Sequence, residues 1–291
     1  MAGAGVVADN LGLRGPRGWA FRGVDLAAEP GSLIAVAGPS GSGRTCLLLA
    51  LTGRMRPTEG TAAVDGLRLP RHMAAVRRVS ALAHVPGVTD LDPALTVGEH
   101  LRERALLQRR FGDSVRSLLR PRAGRAAETR LRVDAALEAT GLDREALPKG
   151  SRTAVRDLER LEALRLSVAL ALIGRPRLLG VDDADLKLSG AERTEAWALL
   201  RSLAEAGTTV VAVCSEAPQD VVTVSTAAPV DGAEGADGAG TVADAEAGAE
   251  ADAQAAPDAR ADADADAHAD AAVSGDDPKE AADAHPATGR A

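Results

Sequence analysis

The chain has 291 residues, 45% of them apolar, a formal net charge of −8 and only two cysteines. That length holds one large domain or two small ones. Cys46 and Cys214 lie far apart and show no metal-ligand spacing, which argues against a disulfide framework and fits a reducing compartment. The sequence shows neither a secretory-leader pattern nor an uninterrupted run of about 18 apolar residues, so neither export nor a spanning helix is expected.

The charge is uneven. From Ala227 onward 16 acidic residues stand against Arg260, Lys279 and Arg290, a net of −13, which leaves +5 for residues 1–226. A mildly basic folded domain over 1–226 followed by an acidic tail over 227–291 is the simplest division. The excess over 1–226 is too small and scattered to point to nucleic acid. Lys149, Lys187 and Lys279 are the only lysines, and Trp19, Phe21, Phe111 and Trp197 the only aromatics. The core must therefore be built from Leu, Val and Ala.

In chain order, apolar stretches at Gly5–Ala8, Ala20–Ala27 and Leu33–Ala37, separated by Gly15-Pro16 and Pro30-Gly31, read as strands. The third runs into Gly38-Pro39-Ser40-Gly41-Ser42-Gly43, after which Thr45–Leu51 reads as a helix ending near Gly53. Thr61–Gly66 is a short strand and its turn. Helices follow: one from Val97, one over Arg130–Thr140 and a long one over Thr153–Leu172. Strands return at Leu178–Val181 and Thr209–Cys214, with a helix over Ala191–Ala206 between them. This order predicts an α/β domain with a mostly parallel sheet. The tail, dominated by Ala, Asp and Gly, offers no apolar face and is expected to be disordered; His268 and His285 there read as solvated.

Gly38–Thr45 reads G-P-S-G-S-G-R-T, one residue from the phosphate-loop pattern G-x-x-x-x-G-K-[ST]. Glycines let successive backbone N–H groups curl around phosphate oxygens, and the helix N-terminus adds its partial positive charge. The candidate nucleotide site is Gly38, Pro39, Ser40, Gly41, Ser42, Gly43, Arg44, Thr45 and Cys46. Thr45 can place a hydroxyl on Mg²⁺. Arg44 keeps the charge of the usual lysine in a longer, planar, forked group. Taken alone, the loop could also be an ordinary turn between strand and helix.

The flanks decide. Glu29–Gly38 leads in, Leu51–Thr61 leads out to Val64-Asp65-Gly66, and Leu95–Leu101, Gly174–Leu179 and Gly207–Val211 follow in order. Together these resemble the ATP-binding subunits of ABC (ATP-binding cassette) transporters over nearly all of Gly12–Glu216. The resemblance implies a phosphate-loop, RecA-like core, an antiparallel β subdomain and a helical subdomain around residues 88–165. It implies ATP and Mg²⁺ as ligands, a separate transmembrane permease as partner, and a cytoplasmic location at the membrane's inner face.

The resemblance also says which positions carry chemistry. Leu178–Asp182 matches the apolar strand ending in the Mg²⁺-holding Asp182, and Asp183 stands where the catalytic Glu is usual, one methylene short. Asp182-Asp183 could otherwise simply begin a loop. Gly87 occupies the place of the bridging Gln, Ser215 that of the switch His and Ser189 that of a partner-contacting Asp. Leu158–Glu162 occupies the place of the signature loop, where Glu159 and Glu162 would face a partner's phosphates unless the segment is an ordinary amphipathic helix. An aromatic that stacks on adenine is usual near Gly15; Trp19 could serve, although a buried core tryptophan is the plainer expectation. ATP binding with weak or absent hydrolysis, and pairing with a second, intact nucleotide-binding subunit, is therefore expected. A nucleotide-sensing regulatory or scaffold protein of the same fold is the alternative, and another phosphate-loop enzyme such as a kinase a weaker one.

Overall fold

The computed structural model describes residues 3–16, 18–111 and 122–226. The acidic tail over 227–291, with the expectations placed on it, lies outside them. A five-stranded parallel sheet has the order β6(Ser80–Ala83), β7(Leu178–Val181), β8(Thr209–Val213), β3(Leu33–Ala37), β9(Val222–Ser225). A four-stranded antiparallel sheet has the order β2(Gly18–Ala28), β1(Val6–Gly15), β4(Glu59–Val64), β5(Leu67–Leu69).

The central strands β7 and β8 are buried at every position, as a parallel sheet covered on both faces requires. Alternation along β3 sorts its side chains. Ile34 and Val36 pack with Leu47, Leu48 and Leu51 of α1(Arg44–Leu51), while Leu33 and Ala35 pack with Trp197 and Leu200 of α6(Gly190–Glu205). Between β6 and β7 lie α3(Val97–Phe111), α4(Arg122–Thr140) and α5(Arg160–Leu172), which share a separate core of Val97, Leu101, Leu137 and Leu166. Among the described residues no helix is long and apolar enough to cross a membrane.

Several boundaries differ from the sequence reading. The first strand runs on to Gly15, with register shifts between Ala8 and Arg14 where the strand adapts to β2. The expected helix from Thr153 begins only at Arg160: Val155–Asp157 is a 3₁₀ turn, and Leu158 and Glu159 are extended. Glu159 N–H donates to the Glu162 carboxylate at 2.9 Å, which fixes the start. Four short strands and helices escaped the sequence reading: β5, α2(Met73–Val79), β6 and β9.

Candidate functional site

The glycine-rich loop leaves the C-terminal end of β3 and enters α1, the crevice where open α/β sheets bind ligands. Gly43 caps α1 at φ 84°, and a Cβ there would collide with the carbonyl of Ala20 in β2. Only glycine fits a loop seated so closely on another strand. On its other side, the Ser42 and Thr226 hydroxyls lie 2.6 Å apart, so the end of β9 closes the loop's flank.

The next strand over but one, β7, delivers Asp182, which is 2% exposed. The Thr45 hydroxyl donates to its carboxylate at 2.7 Å. Burial raises the Asp182 pKa and Asp183 adds to it, against the Thr45 hydrogen bond. A hydroxyl and a carboxylate in contact supply two hard oxygens of the kind Mg²⁺ takes alongside phosphate and water. Thr45 and Asp182 thus fit the ion, although no cluster of three or more His, Cys, Asp or Glu side chains suited to a metal occurs among the described residues. Asp183 is half-buried, with φ 46°, and its N–H donates to Asp182 at 3.1 Å. Cys46, half-buried in α1, has its thiol pKa raised by burial and by Asp182.

Arg44 donates to the carbonyl of Cys214, at the end of β8. The next residue, Ser215, is held by buried Asp185, which accepts from the Ser215 hydroxyl at 2.6 Å and its N–H at 3.1 Å. This pairing links the loops after β7 and β8 and was not anticipated. Ser189 acts within its own helix: it caps α6, accepting from Glu192 N–H at 3.3 Å while its own N–H donates to the Glu192 carboxylate at 2.8 Å. Gly87 adopts φ 74° and donates its N–H to Asp90 at 2.7 Å.

Trp19 is not a core residue. It is 41% exposed, with the guanidiniums of Arg22 and Arg14 at 4.9 and 5.6 Å from its ring centre. The plainer expectation fails because Trp19 sits by the β1–β2 turn, beyond the reach of either sheet's core. His84, just past β6, was also missed. Burial lowers its pKa, and the charges of Asp183 and Asp182 act on it in the opposite sense. Only the fold brings it near them.

Residues 21–185 match the family model described as ABC transporter. Over 212 residues the chain is 33% identical to the Nod factor export ATP-binding protein I of Cupriavidus metallidurans, covering 72% of this chain and 58% of that protein. It spans about half the length of the curated relatives it matches. Among solved structures, a dimeric ATP-binding cassette in a post-hydrolysis state with ADP and phosphate superposes with TM-score 0.55 at 23% identity, covering 72% of this chain and 88% of that one. The cbiO1 protein of Clostridium perfringens, part of the ABC transporter complex cbiONQ, gives 0.58 at 18% identity over 72% of this chain and 78% of that one. At these identities the two structures speak for the fold alone.

Proposed function

The chain belongs to the ABC transporter family, as its ATPase-type nucleotide-binding domain, and from that premise we propose that it binds Mg²⁺-ATP at Gly38–Cys46 while hydrolysing it weakly or not at all on its own. The observation that carries this reading is the contact of Thr45 with Asp182 at the mouth of the glycine loop. The loop amides and Arg44 would hold the phosphates, and Thr45 and Asp182 the Mg²⁺, which offsets phosphate charge when bound.

Turnover asks for more. Asp183 stands at the position where a carboxylate would orient water, and it falls a methylene short of glutamate. Ser215 and Gly87 offer neither an imidazole nor a side-chain amide. Losing a single preorganised donor costs about 3–4 kcal/mol, or about 10²–10³ in rate. Such losses do not add, because the groups act as a unit, yet two independent ones bring hydrolysis near background. Binding rests on backbone amides and survives better.

In the family's arrangement each ATP lies between the phosphate loop of one subunit and the signature loop of another. Here Leu158–Glu162 lacks glycine and serine, and Glu162 is engaged at the start of α5. A heterodimer with an intact second subunit, docked on a separate permease at the inner face of the membrane, accommodates this best. An equilibrium Mg²⁺-ATP titration run beside a sensitive phosphate-release assay tests the reading. Binding without release is expected; absence of binding overturns it.

A further inference from the structure

Beside α6 lies a cleft of about 360 Å³, at the lower end of the volumes that bound small molecules occupy. One wall is the helix and the other is the loop that follows β8; no residue of Gly38–Cys46 lines it. Arg193, Trp197 and Arg201 recur at every fourth position, so α6 carries all three on one face. Ala217 and Pro218 belong to the opposite wall. That wall is anchored, because buried Asp185 accepts from the N–H groups of Ser215 at 3.1 Å and Glu216 at 3.4 Å.

The two arginines are unsatisfied where they stand. Arg193 Nε is shielded from solvent and donates to no acceptor. Such orphaned donors are rare in folded proteins and mark a place where an acceptor fits. The carboxylates of the same helix are engaged elsewhere: Glu192 accepts from the Ser189 N–H at 2.8 Å, and Glu195 pairs with Arg165 at 2.7 Å. Among the described residues, neither Arg193 nor Arg201 has an ion-pair partner. Glu216 is the one carboxylate of the lining, which leaves an excess of positive charge but opposes a polyanion.

The spacing of the guanidiniums selects the ligand. From Arg193 to Arg201 the helix rises by about 12 Å, so the two do not converge on one small ion such as phosphate. They suit carboxylates at opposite ends of a single molecule, because a planar fork pairs with a carboxylate through parallel N–H donors. Between them Trp197, Ala217 and Pro218 offer apolar contact to whatever joins the two ends. We propose that this cleft binds an extended dicarboxylate with an apolar spacer, one carboxylate on Arg193 and the other on Arg201. The inference rests on α6 and the loop after β8 and is independent of the nucleotide reading.

The test uses the full chain carrying Trp19→Phe, which leaves Trp197 as the single tryptophan. Suberate, a linear aliphatic dicarboxylate, should give a saturable change in its fluorescence. It should bind at least about tenfold more tightly than octanoate, the monocarboxylate of equal length, as one further hydrogen-bonded charge provides. Arg193→Gln and Arg201→Gln, each added singly, should bring suberate to the level of octanoate. The absence of a saturable change overturns the proposal, as does equal affinity for the two acids or a preference that survives both variants. Displacement of suberate by equimolar inorganic phosphate would make the cleft a single-point anion site, and also overturns it. Arg201 is exposed, so should Arg193→Gln fail to fold, Arg201→Gln and the suberate-over-octanoate preference decide the question. Calorimetric Mg²⁺-ATP titrations of the wild-type chain report the glycine loop separately, so failure of either reading is visible without the other.

Discussion

Arg44 is the only side-chain cation of the glycine loop, and its guanidinium reaches the carbonyl of Cys214. Replacing it with Ala should weaken Mg²⁺-ATP binding by about 1.5–3 kcal/mol, the range for hydrogen bonds to charged groups. Calorimetric titration measures this, and unchanged affinity would remove the loop as the nucleotide site. His84 gives a pH signature. Its native pKa lies below the ordinary 6.5, so just below that value the unfolded chain binds more protons than the folded one. Stability then rises with pH through this window and levels off above it. Melting curves across the window should show that rise, and His84→Gln should flatten it. The loop and Asp182 were legible in the sequence because a phosphate loop and an apolar strand ending in Asp are local patterns. His84 and Asp185 were not, since their partners come from segments far along the chain.

Helix starts show the same division at the level of elements. The start of α6 was legible to within a residue, and its Ser189 cap carries a local pattern, Ser followed three positions on by Glu192. Ser189→Ala should cost about 1 kcal/mol of stability, as loss of an N-cap does, read as a lower melting temperature with nucleotide affinity unchanged. The start of α5 was misplaced because Thr153–Leu158 is apolar enough to continue the helical pattern, while the 3₁₀ turn and the Glu159–Glu162 bond interrupt it. Strands β5 and β9 are three and four residues long. Their own sequences say little, and pairing with β4 and β3 defines them.

For the molecule as a whole, the proposed half-site predicts an assembly behaviour. Mg²⁺-ATP alone should not drive a tight homodimer, because like charge brought to phosphates in a desolvated interface disfavours closure. Restoring the lysine with Arg44→Lys and the glutamate with Asp183→Glu should not rescue turnover, since Ser215 and Leu158–Glu162 are unchanged. Size analysis with and without Mg²⁺-ATP, together with phosphate release, checks both. An ATP-induced dimer turning over near about 1 s⁻¹, the lower end of ordinary enzymes, would defeat the half-site reading. The parallel-sheet domain was legible at this scale because its strands alternate with helices; the grouping of Arg54, Arg77 and Arg104 around one cleft was not, because Arg54 lies in the turn after α1, Arg77 on α2 and Arg104 on α3.

The two thiols have a practical use. Cys214 is fully buried, with its pKa pushed up to about 12, chiefly by burial and then by Asp185, and the Cys46 pKa is raised as well. Since the thiolate is the reacting species, both should be slow towards alkylating reagents at neutral pH. A cysteine introduced on the exposed surface, at Leu131 for instance, would keep an ordinary thiol and take up a maleimide dye far faster than either native residue. The chain can therefore carry a single fluorescent or spin label without first being stripped of its own cysteines, and one dye per molecule, located by peptide mapping, is the expected result.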